Sequence, residues 1–453
     1  MSSVAMAEPR AHAVDRHPKG LYVLFATEMW ERFSFYSMLA MFTLYVQDAT
    51  EGFGWTQDRA TTIYSNYLMF VYASPLIGGW LADKKLGYRR AVMIGGFFFM
   101  AGHLLLSFRS VPIMYTALVC LVIGNGFFKP NVSTMVGRLY PEGSHLKDRA
   151  FLIFYMGINI GAFLGPVVAE VVKTRFGFHP AFAVAAGGML ISVSLLWKFK
   201  HLVEGPERGS APVSALRKAP AAAVTTDAPP PEGSGRAAAY SNPIDAVPDW
   251  KRIAALIVIF LIAIVFWMAF HQNGSTWTYF ADKNTDWSVS GIISNAINPF
   301  WIIALVLPLS WFWRWLDRKG KEPSTPTKMV FGILLTALAY FIMYLAGKAG
   351  GDFGKVSPLW LINAYMVISL GELMLSPMAL SLVSKVAPIR MRGLMMGGWF
   401  FATAMGNKLT AIGVYWDDWL HSTFFAVVGG ILVATALLLI VLLKPLKKAM
   451  PGV

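Results

Sequence analysis

The chain has 453 residues, 56% of them hydrophobic and only 14% charged, with a formal net charge of +14 and a mean hydropathy of +0.53. A soluble globule cannot hide that much apolar surface, so the composition points to a polytopic membrane protein. The basic excess lies in short clusters between apolar runs rather than in one stripe, which speaks against nucleic acid as a partner, and the single cysteine, Cys120, excludes a disulfide framework and a thiolate metal site.

In chain order, a polar tail (1–20) carries Arg10, Arg16 and Lys19, and the apolar segment after it has no small-residue cleavage site, so no cleaved signal peptide is expected. Twelve runs follow of about the length a spanning helix needs: 21–47, 58–82, 90–109, 112–138, 149–174, 179–198, 251–281, 291–316, 328–348, 358–384, 389–416 and 419–444. The expected fold is all-α, two six-helix bundles (21–198 and 251–445). A Pro-, Ala- and Ser-rich linker (199–250) joins them and a short tail (446–453) follows. An even number of spans puts both termini on one side. Lys and Arg concentrate in the tails and in the loops after even-numbered spans, so that side is expected to be cytoplasmic. The second and eighth runs end alike, in Leu81-Ala82-Asp83-Lys84-Lys85-Leu86-Gly87 and Leu316-Asp317-Arg318-Lys319-Gly320, which implies two related halves with a substrate site between them.

The first run holds the stretch Glu28-Met29-Trp30-Glu31-Arg32-Phe33-Ser34-Phe35-Tyr36. At 100° per residue, positions 28, 31, 32 and 36 fall in one arc of roughly 140°. An ionisable group at membrane depth costs ~2.5–3.5 kcal/mol on insertion scales. Three together favour an ion or substrate pathway over a pair that merely fastens helices. After the second run, Gly79 to Arg90 resembles the loop signature of the major facilitator superfamily, with Asp83, Arg89 and Arg90 as a cytoplasmic latch or as a plain positive-inside anchor. Further polar groups lie at depth: Lys129 before Pro130, Asn159 between Gly157 and Gly161, Trp267 with His271, Asn298 before Pro299, and Glu372 near Pro377. The glycines around Asn159 are accounted for equally well by close helix packing. Lys408 either snorkels outward or pairs with an acid such as Glu170.

Glu-x-x-Glu-Arg-Phe-x-Phe-Tyr at 28–36, Phe-Lys-Pro-Asn at 128–131, Phe-Tyr-x-x-Ile-Asn-x-Gly at 154–161 and Gly-Glu-Leu-x-x-Ser-Pro at 371–377 resemble the proton-coupled oligopeptide transporter (POT) family of that superfamily. The resemblance implies a proton-coupled importer of di- and tripeptides, working by alternating access as a monomer in a bacterial inner membrane. It implies the lipid bilayer as surroundings and no cofactor beyond the proton gradient. It implies proton coupling by Glu28, Glu31, Arg32 and Lys129. The peptide would be held by Arg32, Tyr36, Tyr72, Lys129, Asn159, Trp267, His271, Asn298, Glu372, Ser376 and Trp399, its carboxylate facing Arg32 and Lys129 and its amino end facing Asn159, Asn298 and Glu372.

Three departures stand out. Phe35 replaces a common tyrosine, His271 stands where members often carry a glutamate that pairs with the first-helix arginine, and the linker is too short for the two extra helices of many bacterial members. His271 is either a protonatable group near neutral pH or a neutral hydrogen-bonding filler, the reading we favour. Other solutes on the same scaffold, such as nitrate, are disfavoured because Glu372 would repel a bare anion; a peptide sensor or scaffold that moves nothing is the rival of a different class. An enzyme is the weakest option, since no nucleophile–base pair or metal-ligand spacing is evident.

Overall fold

The computed structural model describes residues 16–140, 146–203, 243–388 and 391–451. Twelve long helices are found among them: α1 (Lys19–Gln47), α2 (Gln57–Leu81), α3 (Tyr88–Leu105), α4 (Val111–Arg138), α5 (Leu146–Phe176), α6 (Phe178–Lys198), α7 (Asp249–Phe270), α8 (Ser294–Arg318), α9 (Thr325–Ala349), α10 (Pro358–Val386), α11 (Arg392–Leu409) and α12 (His421–Ala449). Eight of these, α4 to α10 and α12, are long and apolar enough to cross a membrane by length and composition. The remaining four include α1 with its buried Glu28, Glu31 and Arg32.

Helix ends follow from local chemistry. Pro112, Pro326 and Pro358 open α4, α9 and α10, where a missing N–H costs nothing. Ser357 caps α10 by accepting from the Leu359 N–H at 3.3 Å. Between α2 and α3 a π-helical turn, Ala82–Leu86, leads to Gly87 at φ +73°, a left-handed conformation that favours glycine.

Two of the expected runs are not continuous helices. The seventh breaks at Phe270 into a 3-10 turn, His271–Gly274, and resumes as a short helix, Thr276–Lys283. The eleventh ends at Leu409 and continues as a 3-10 segment, Thr410–Trp416. The breaks face each other: the Gln272 side-chain amide donates to the Thr410 carbonyl at 3.0 Å and its oxygen accepts from the Thr276 hydroxyl at 2.9 Å. The Gln272 side chain thus satisfies a carbonyl at the second break.

Two apolar cores form, one from residues of 21–203 and one from residues of 244–450, with Ile292 of the second half seated in the first core. Within the first half, α5 lies on α1 through Gly157, Gly161 and Gly165; a Cβ at 161 would fall 2.2 Å from the Met29 carbonyl oxygen. Close packing is thus realised at these glycines.

Among the described residues, side-chain hydrogen bonds between the halves lie toward the end of the bundle away from the termini. There Thr43 donates to the Gly274 carbonyl at 3.1 Å, Thr61 and Tyr279 share a hydrogen bond of 3.2 Å, and Lys283 donates to the Gln57 side chain at 3.4 Å. Glu170 accepts from the Ser290 N–H at 2.7 Å and from its hydroxyl. Lys408 neither snorkels nor meets Glu170. Its ammonium donates to the Asn66 side-chain oxygen on α2, while Glu170 is taken by Ser290.

Candidate functional site

The charged face of α1 is almost wholly shielded, with Glu28, Glu31 and Arg32 each no more than 2% exposed. Arg32 grips its sequence neighbour as a fork: Nε bonds one Glu31 oxygen and Nη2 the other at 2.6 Å. Glu28 Oε1 stands 3.4 Å from Arg32 Nε, one turn away. Glu28 Oε2 has no hydrogen-bond partner among the described residues. Arg32 also reaches Asn125 of α4, at 3.4 Å, and that amide is held by its own bond to the Val71 carbonyl at 2.7 Å. Phe35 offers its ring face to the Arg32 guanidinium at 4.9 Å. A cation–π contact therefore stands at the position where a tyrosine was expected from the resemblance.

Lys129 comes from α4, one turn after Asn125 and so on the same face. Its ammonium lies 4.5 Å from the centre of the Tyr72 ring and within electrostatic reach of Glu28 and Glu31. Tyr72 in turn meets the His271 ring at 5.5 Å, and His271 stacks on Trp267 at 5.3 Å with planes 24° apart. Lys129, Tyr72, His271 and Trp267 thus form one layered column from the first half into the second. Neither His271 ring nitrogen has a hydrogen-bond partner among the described residues. The expectation of a hydrogen-bonding filler is corrected: His271 fills by stacking. Its ring contacts are with Tyr72, Trp267 and Phe270, and none of these hydrogen-bonds the imidazole.

The acidic pole belongs to the second half. Asn298 of α8 donates to Glu372 of α10 at 3.1 Å and to Ser369 at 2.9 Å, so the carboxylate is oriented by an amide that Ser369 also holds. Tyr36 and Tyr72 both lie within electrostatic reach of Arg32 on one side and Glu372 on the other. Each tyrosine is therefore near both poles. Asn159 spends its amide N–H on the Tyr155 carbonyl of its own helix at 2.9 Å. Tyr155 in turn lies within reach of Glu372.

Other expected residues stand apart. Trp399 is buried in the second core and meets Phe260 edge-on at 6.3 Å, so its described ring contact is with the core rather than the column. The Ser376 side chain lies outside the described residues. Asp83 accepts from the Tyr88 hydroxyl at 2.7 Å, while Arg89 and Arg90 line a separate cavity against α6. Asn125 and Ser369 were missed by the sequence reading. Asn125 had a signal, an amide four residues before Lys129 in an apolar run; Ser369 had the weaker one of lying three residues before Glu372.

The sequence profile described as Major Facilitator Superfamily matches residues 32–411. An uncharacterized transporter of Bacillus subtilis, YclF, is 32% identical over 96% of both chains. The di-/tripeptide transporter of Lactococcus lactis is 30% identical over 96% of this chain and 97% of its own. Among solved structures, a POT family transporter in complex with a thioalcohol-conjugated peptide superimposes with a TM-score of 0.83 at 26% identity, covering 95% of this chain and 97% of that one. With the fold, the four motifs and full-length relatives in agreement, the chain belongs to the proton-coupled oligopeptide transporter family of the major facilitator superfamily.

Proposed function

We propose that the protein imports di- and tripeptides together with protons, by alternating access, with both termini in the cytoplasm of a bacterial cell. One observation carries the reading: a buried Glu28–Glu31–Arg32 group with Lys129 nearby on one half, facing an Asn298-held Glu372 on the other. A zwitterionic peptide needs two such poles with aromatic walls between them. Tyr36, Tyr72, His271 and Trp267 supply the walls.

Formal charge supplies the coupling. The four ionisable groups of the first pole sum to zero when all are charged, and Glu372 adds one negative charge. A neutral zwitterion plus one proton brings the closed site to zero. A proton on Glu31 releases Arg32 for the peptide carboxylate, and the Arg32–Glu31 fork re-forms after release. An unpaired buried charge is costly, so peptide and proton enter the closed site together. A bare anion such as nitrate leaves Glu372 unanswered.

The test is Glu31→Gln in liposomes. Uptake driven by a proton gradient is expected to vanish while peptide counterflow persists. Full gradient-driven uptake by the variant would overturn the assignment of Glu31, and a wild-type protein that binds peptide without accumulating it would make the protein a sensor.

A further inference from the structure

Helix α2 carries Pro75 in its interior. A proline has no N–H, so the carbonyl four residues earlier, that of Val71, loses its helical partner. Val71 is buried, and a carbonyl there needs donors from the protein. Two side chains supply them. The Ser74 hydroxyl donates at 3.0 Å from the same helix, and the Asn125 amide of α4 donates at 2.7 Å. The two helices come close enough for this because both are bare at the contact. A Cβ on Gly78 would fall 1.9 Å from the Gly126 carbonyl oxygen, and one on Gly126 would fall 2.9 Å from the Ser74 carbonyl oxygen.

The anchor decides which way the buried amide points. With its N–H group on the Val71 carbonyl, the Asn125 oxygen is left to face Arg32 Nη2 at 3.4 Å. Turned over, the amide would set oxygen against oxygen and N–H against guanidinium. Arg32 Nη2 carries two N–H groups, and the bond to Glu31 uses one of them. The Asn125 bond therefore does not compete with the Glu31 fork and can persist when the fork opens. Among the described residues, the other hydrogen-bond, ion-pair and ring partners of Arg32 are Glu28, Glu31, Phe35 and Tyr36, all on α1. Asn125 ties the guanidinium to a different helix.

We propose that Asn125 is a positioning residue for Arg32: anchored on the carbonyl that Pro75 frees, it holds the guanidinium in place once Glu31 lets go. The peptide carboxylate then meets an oriented fork rather than a swinging side chain, and the cost of ordering it is already met. This rests on the reading that Arg32 takes the peptide carboxylate.

The test separates positioning from mere satisfaction of the carbonyl. In a Pro75→Ala parent the residue 75 N–H is restored and can serve Val71, so Asn125→Leu no longer leaves that carbonyl short of a donor. Binding of dialanine and of dialanine amide, which lacks the carboxylate, is measured by calorimetry on the full-length protein in detergent. Adding Asn125→Leu to the parent should weaken dialanine by about fivefold or more and leave the amide unchanged. Unaltered binding of dialanine, or an equal loss for both ligands, overturns the proposal. A wild type that does not prefer dialanine to its amide overturns the peptide-site reading, and the proposal with it; a wild type that prefers it beside an unaffected variant overturns the proposal alone. Should the Pro75→Ala parent not fold, Asn125→Leu in the wild type is scored by the ratio of the two affinities. A ratio reduced by about fivefold supports positioning, and a ratio equal to wild type refutes it.

Discussion

Arg32 has its counter-charge one residue away. Neighbours at i and i+1 on a helix normally diverge, but the long arginine fork folds back and takes both Glu31 oxygens. Helical pitch alone placed 28, 31, 32 and 36 on one face; it could not tell which carboxylate would win the fork. With Arg32 paired inside α1, it has a counter-charge without an acid on the seventh span, where the His271 imidazole stacks on Trp267. His271→Gln is therefore expected to retain most proton-driven uptake with an unshifted pH profile; a displaced profile would show that His271 titrates during the cycle. Lys129 is different, being the second cation within reach of both carboxylates. For Lys129→Ala, concentrative uptake should be lost while peptide exchange continues, and wild-type accumulation would reduce the lysine to a packing role over Tyr72.

At the scale of elements, the spacing of apolar runs located all twelve helices because a spanning helix is mostly its own composition. Breaks were less legible. His271-Gln272-Asn273-Gly274 is polar enough to signal one, but its cause is tertiary: Gln272 reaches Thr410, and a Cβ at 274 would lie 2.0 Å from the Tyr64 hydroxyl oxygen. Close packing of α5 was readable from glycines four apart, but not that α1 would be the partner. Its energetic weight can be measured. Gly161→Val forces a branched side chain against the Met29 carbonyl, and such overpacking typically costs about 1–3 kcal/mol. Its melting temperature should fall clearly, whereas Gly187→Ala should stay near wild type, since nothing lies within 4 Å of a Cβ there. Equal behaviour of the two would mean that α1 and α5 adjust freely.

For the whole molecule, two halves and a midplane site follow from the repeat, but the state of the molecule does not. Which end closes depends on pairs such as Glu170–Ser290 and Lys408–Asn66, whose members come from different halves and carry no shared motif. A lysine in an apolar run was visible at 408; that an amide of α2 would meet it was not. Alternating access requires these contacts to break so that the end away from the termini can open. Glu170 holds Ser290 by two hydrogen bonds to a carboxylate, and bonds to charged groups are typically worth about 1.5–3 kcal/mol. Removing one such contribution shifts a two-state equilibrium roughly tenfold or more. In a Cys120→Ala background, a cysteine at Thr61, fully buried at this end, reports opening through its labelling rate. Glu170→Ala should raise that rate by about tenfold. A rate unchanged from the parent would mean that the end is held shut by contacts such as Thr43–Gly274 and Lys408–Asn66, with Glu170 carrying none of the load.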